Sequence, residues 1–116
     1  MNQNALLRDA IVFLERHGRK KGAPVWEAAS RALAAGSSKR IEVNVARISK
    51  VTEPAATVLV AGKVLGNGRI DKKVVVGAYS FSRSARKKIA DAGGKAMGIR
   101  EFVERYPEGS GVKLVG

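Results

Sequence analysis

Few side chains in this sequence are equipped for bond-making chemistry. The lone histidine, His17, is expected at a helix end among basic residues, where capping or facing a phosphate is commoner than general-base work. No acid pair, nucleophile elbow or zinc-binding helix signature is present. Ser80, Ser82 and Ser84 flank a strand-to-helix junction without the glycines of a nucleophile elbow, which leaves helix capping for Ser82. Gly66-Asn67-Gly68 opens like a dinucleotide fingerprint, but Asp71 stands where the third glycine belongs and no long helix follows. Gly62-Lys63 lacks the Ser or Thr of a P-loop, so these glycines better suit positive φ angles or close backbone approach. With no cysteine, disulfides and thiolate metal sites are excluded. The expectation is a protein that is not an enzyme, with no cofactor and no metal. A small nucleotide-binding enzyme built around Gly62 to Gly68 is the rival from a different class, and calorimetry with common nucleotides would separate the two.

What remains is cation chemistry. The chain of 116 residues carries 22 Lys+Arg against 10 Asp+Glu, a formal charge of +12. Such an excess repels itself in a compact molecule and implies a polyanionic partner. It is evenly spread, since residues 1–50 and 51–116 each net +6, so this is not a neutral domain with a basic tail. Basic clusters recur at Arg19-Lys20-Lys21, Lys39-Arg40, Lys72-Lys73 and Arg86-Lys87-Lys88. A single run of this kind is usually a solvated face. Several of them on separate turns and one helix face favour contact with RNA. The candidate contacts are Arg19, Lys20, Lys21, Lys39, Arg40, Arg47, Lys63, Arg69, Lys72, Lys73, Arg83, Arg86 and Lys87. Aromatic residues make up only 5%, and Trp26 shares a helical stripe with Ala29 and Leu33 that suits a core. Recognition of folded RNA by shape and phosphate therefore fits better than base stacking. No apolar run approaches the ~18 residues that span a bilayer, nor does either leading helix carry an interfacial aromatic face. A soluble cytoplasmic protein is expected, without membrane or small-molecule partner.

The elements that must position these cations can be read from periodicity. With 45% apolar residues the chain can bury a core as one domain, helical over 1–40 and mixed α/β over 41–116. Leu7, Ala10, Ile11 and Leu14 predict a helix from Asn4 to His17, capped by Asn4 and stopped by Gly18. Gly18 to Gly22 then reads as a charged turn. Pro24 opens a second helix burying Trp26, Ala29, Ser30 and Leu33, and Gly36 to Arg40 reads as a basic loop. Short strands are predicted at Ile41–Asn44 and Thr57–Val60, with Asn44 capping a brief helix through Ile48. Val74 to Phe81 is apolar on both faces and reads as a central strand. Ser82 starts a helix with Ala85, Ile89 and Ala92 inward, and Gly93-Gly94 ends it. A strand at Ala96–Gly98, a helix from Arg100 to Tyr106 and a closing strand over Gly111–Val115 complete the series. Gly62-Lys63-Val64-Leu65-Gly66 and Gly94-Lys95-Ala96-Met97-Gly98 echo one another, as a repeated strand-and-turn unit or by chance.

Taken together, several segments resemble a known family. Val60 to Gly68, Val75 to Ser82, Ala85-Arg86-Lys87-Lys88-Ile89 and Ala92-Gly93-Gly94 are similar to the L-eighteen-e family of archaeal and eukaryotic large-subunit ribosomal proteins, related to bacterial protein L-fifteen. Ala23-Pro24-Val25-Trp26, Glu42 to Ile48 and Pro107 to Val112 extend the resemblance over nearly the whole chain, at the compact length of archaeal members. The resemblance implies an α/β fold, N-terminal helices joined to an irregular superhelix of β-β-α units. It implies a structural ribosomal constituent that binds large-subunit rRNA, supports subunit assembly and translation, and neighbours other ribosomal proteins. The free protein is expected to be a monomer. Ser37-Ser38 stand where relatives are often more basic, so that loop is expected to make fewer phosphate contacts. The alternative within the same electrostatics is an RNA-binding or RNA-remodelling protein outside the ribosome.

Overall fold

The computed structural model describes residues 3–35 and 41–116. Two helices, α1 (Gln3–Lys21) and α2 (Pro24–Ala35), pack on each other through Leu14, Trp26, Ala29 and Leu33. Pro24 takes the first helical position as expected, and Ser30 satisfies its buried hydroxyl by donating to Ile11 O at 2.9 Å.

Two expectations fail in α1. The helix already contains Asn4, which therefore does not cap it, and it runs through Gly18 instead of stopping there. A Cβ at Gly18 would lie 2.8 Å from Glu27 Cγ and 3.1 Å from Trp26 Cβ. Glycine is thus what lets α2 approach, and that contact outweighs the roughly 1 kcal/mol that glycine costs inside a helix. Arg19-Lys20-Lys21 form the last helical turn rather than a loop, where cations meet the negative end of the helix dipole. Gly22, at φ +63°, makes the turn that ends the helix.

The remaining chain alternates strands with short helices: β1 (Ile41–Asn44), α3 (Val45–Val51), β2 (Thr57–Leu65), β3 (Val75–Phe81), α4 (Arg83–Asp91), β4 (Lys95–Gly98), α5 (Ile99–Arg105) and β5 (Val112–Val115). Every pairing among the described residues is parallel. β3 lies between β2 and β4, the interior position its apolar faces predicted. On the other side of β2, β5 runs beside Thr57–Val60 and β1 beside Gly62–Leu65, so the two share one edge end to end. Val58 and Val60 enter one core with Val45 and Ile48 of α3 and Ala85 and Ile89 of α4. Leu59 and Ala61 point the other way, into a core with α1, α2 and Phe102 and Val103 of α5. Burial on both faces is what a parallel sheet requires.

One crossover has no helix. Residues 66–74 carry the chain from the end of β2 back to the start of β3, where parallel strands commonly need a longer, helical link. Ile70 and Val74 bury themselves in the first core, and Lys72 Nζ donates to Ser49 O and Thr52 O at 2.5 and 2.7 Å. The segment is therefore pinned to the end of α3. The sequence echo has a structural basis in the units β1–α3–β2 and β3–α4–β4. Gly62 opens the pairing in the first unit, and a Cβ there would lie 2.1 Å from Ile41 O. Gly94 stands just before β4 in the second, and its Cβ would lie 2.1 Å from Val74 O. Each glycine admits a neighbouring backbone carbonyl, from the first residue of β1 or the residue just before β3, at the matching point of a repeated unit.

Candidate nucleic-acid interface

Because the strands are parallel, their C-terminal ends gather on one side of the molecule, where α3 and α4 begin. Asn44 pairs with Leu65, and Val64 with Phe81. Ser82 leaves β3 in an extended conformation and caps α4, its Oγ accepting from Ala85 N at 3.1 Å. Asn44 holds the matching place before α3, but its Oδ1 accepts from Asn67 N at 3.3 Å instead of from a helical N–H. Residues 66–69 are wedged between the two helix starts. A Cβ at Gly66 would lie 2.0 Å from Ser84 Oγ, and one at Gly68 (φ +85°) 2.3 Å from Ala46 Cβ. Lys88 reaches over from α4 and donates to Gly66 O and Gly68 O at 2.6 and 2.7 Å. The glycines that opened like a nucleotide fingerprint are packed against this protein's own atoms.

Exposed cations surround the wedge: Arg47 at the start of α3, Arg69 in the wedge itself, and Arg83 and Arg86 on α4. Lys63, near the end of β2, is also exposed, but beside Glu42 of β1 and on the face of the sheet opposite Val64 and the first core. Arg47 is steadied by donating to Gly116 O at 3.2 Å, and the Arg86 guanidinium lies 4.9 Å over the Phe81 ring. These contacts orient the two groups. Lys87 is also exposed, but pairs with Asp91 at 3.0 Å.

Other sequence candidates lie elsewhere. Lys73 is exposed on the crossover, whereas neighbouring Lys72 is half-buried and bonded to α3 carbonyls. Arg19, Lys20 and Lys21 stand exposed at the end of α1, with Arg19 paired to Glu15 at 2.7 Å. Lys39 and Arg40, with the rest of the basic loop from Gly36, lie outside the described residues. Among the described residues only two ion pairs form, both exposed and one helical turn apart. Pairs of that kind contribute little to stability, and most of the described cations engage no carboxylate directly.

His17 is not at a free helix end. Its Nε2 lies 3.1 Å from Pro107 O, and because a carbonyl only accepts, Nε2 carries the proton. Trp26 Nε1 donates to the same oxygen at 3.0 Å. Both rings thus serve to hold the segment after α5. Among the described residues no cluster of His, Asp and Glu is arranged to hold a metal ion. Sequence reasoning did not anticipate that Lys88 and Lys113 also turn onto main-chain carbonyls, Lys113 donating to Val51 O at 2.6 Å. Nothing in the run Arg86-Lys87-Lys88 marks which lysine will do so; only the fold decides.

Comparison with known proteins agrees with this architecture. The family model that describes the 50S ribosomal proteins L-fifteen and L-eighteen-e and the 60S protein L-twenty-seven-A matches residues 28–97. The large ribosomal subunit protein eL18 of Archaeoglobus fulgidus is 47% identical over 112 residues, covering 97% of this chain and 96% of the relative. The proteins of that name from Methanopyrus kandleri and Pyrobaculum aerophilum are 40% and 35% identical, each alignment covering 97% of this chain and 92% of the relative. Near-complete coverage in both directions, with the parallel sheet and its flanking helices, places the chain in the L-fifteen/L-eighteen-e family of ribosomal proteins.

Proposed function

We propose that this protein is a structural constituent of the large ribosomal subunit that binds its rRNA through Lys and Arg contacts to phosphate. The observation that carries the reading is the group Arg47, Arg69, Arg83 and Arg86, exposed around the helix starts at one end of the sheet and engaged in no ion pair with Asp or Glu among the described residues. Its backbone is held by interlocked helix starts, so the cations are presented on a rigid support. Lys63 adds a cation on the other face of the same sheet end. The relatives' name as large-subunit proteins supports the ribosome as the setting, with rRNA and neighbouring ribosomal proteins as partners. Lys73, Lys87 and the cations at the end of α1 extend the phosphate-binding surface, and so do Lys39 and Arg40. Lys72 contributes by holding the crossover in place. The free protein is monomeric and needs no small-molecule ligand.

Binding to large-subunit rRNA is expected to weaken steeply with salt, with a log–log slope of about 4–5 if about six phosphates are engaged. Filter binding across a salt series measures it, and a flat response overturns the phosphate mechanism. Co-sedimentation tests the setting: the protein is expected to be stoichiometric with large subunits after moderate salt washing. Charge reversal of Arg83 and Arg86 to Glu is expected to reduce that association while circular dichroism is unchanged. Unaltered sedimentation of the double variant would remove the α4 arginines from the interface.

A further inference from the structure

A second surface lies between α1 and the start of α5. Asp9, Val12, Phe13, Arg16, His17 and Lys20 recur at helical spacing and form one stripe of the helix. The stripe faces Arg100, at the start of α5, across an open groove of about 410 Å³. The Arg100 guanidinium lies 4.3 Å over the Phe13 ring, and Phe13 stacks on His17 at 6.0 Å between centroids and 26° between planes. The His17 ring is itself fixed by its bond to Pro107 O. Arg16, Lys20 and Arg100 are exposed, and no ion pair among the described residues engages them. Packing of the core does not require a planar cation laid on a half-buried ring with two further cations beside it.

We propose that this groove takes one unstacked nucleotide of an RNA segment, with the base on the outer face of the Arg100 guanidinium and its phosphate on Arg16 and Lys20. The flat guanidinium, backed by the Phe13 ring, offers a stacking platform of the kind that holds splayed-out bases in RNA complexes. Charge complementarity selects the occupant, since three cations meet a single carboxylate along the groove. That carboxylate adds a preference. Asp9 stands about 10 Å along the helix from Arg16, comparable to the span of a nucleotide from base edge to phosphate. Its two acceptor oxygens match the adjacent N1–H and N2–H donors of guanine, a pair that adenine, cytosine and uracil do not present. The proposal rests on the RNA-binding reading but uses residues other than Arg47, Arg69, Arg83 and Arg86.

The test is nuclear magnetic resonance titration of the full chain with the single-stranded trinucleotides UGU and UUU, and with inorganic phosphate. UGU is expected to shift the Phe13, His17 and Arg100 signals, and UUU to bind several-fold more weakly. Arg100→Lys keeps the charge but removes the planar face, and is expected to weaken UGU binding about fivefold or more. Asp9→Asn is expected to abolish the preference for UGU over UUU. Phosphate that moves Arg16 and Lys20 while neither trinucleotide moves the rings would overturn the proposal, leaving an anion site only. So would Arg100→Lys binding UGU as tightly as the parent. Salt-dependent rRNA binding that survives either result would keep the general RNA reading and sink the groove alone; loss of both would sink the two together.

Discussion

Lys72, Lys88 and Lys113 direct their ammonium groups onto main-chain carbonyls at 2.5–2.7 Å, so the formal charge overstates the cations free to meet phosphate. Lys72 is the clearest separation of the two roles, being half-buried and bonded at the end of α3. Lys72→Met is expected to lower stability by about 1–3 kcal/mol, because two carbonyls lose a charged donor. Urea denaturation measures the loss, and an unchanged midpoint would return Lys72 to the solvent-facing cations. Glycines divide in a similar way. Gly62→Ala would drive a Cβ to 2.1 Å from Ile41 O, with both backbones held by strand pairing, and is expected to cost at least about 2 kcal/mol. At Gly98, the N-cap of α5, a Cβ meets nothing within 4 Å. There Gly98→Ser supplies a capping hydroxyl and is expected to gain a few tenths of a kcal/mol.

At the scale of elements, Ser82 does for α4 what the sequence reading expected, and Ser82→Ala should cost about 1 kcal/mol by thermal or chemical denaturation. That element was legible because an extended strand, a capping serine and an apolar stripe at Ala85 and Ile89 follow each other directly. Three features were not legible. α1 runs past Gly18 because the reason for the glycine lies on α2, some way along the chain. β2 runs on through Gly62 to Leu65 because its second half is completed by β1 on one side and β3 on the other, neither visible in a local window. The parallel direction of every strand is a property of pairing, and periodicity carries no sign of it. The candidate interface divides likewise. Its residue types stood out in the sequence, but the placing of Arg47, Arg83 and Arg86 at one sheet end follows from the parallel topology, and that of Arg69 from the crossover held beneath Lys88.

Taken whole, the molecule joins two cores through one sheet: neighbouring residues of β2 enter opposite cores, and Pro107 O ties α1 and α2 to the segment between α5 and β5. Helices and sheet are therefore expected to unfold in one transition. Trp26 is the only tryptophan and reports on the helical core, while far-ultraviolet dichroism reports on the whole. Coincident midpoints are the expected result, and an earlier loss of the Trp26 signal would show the leading helices to be a separate unit. The arrangement of the sheet has one further effect. Its longest strands, β2 and β3, are inside, and each outer edge is built from four-residue strands, β4 on one side and β1 with β5 on the other. A stray chain seeking a strand to extend finds only short stubs. Resistance to amyloid-like growth is thus expected from the strand order itself, independently of charge repulsion. Concentrated protein in high salt, where repulsion is screened, is expected to scatter light as a dispersed species, and accumulation of β-rich fibres there would show that the edges are open after all.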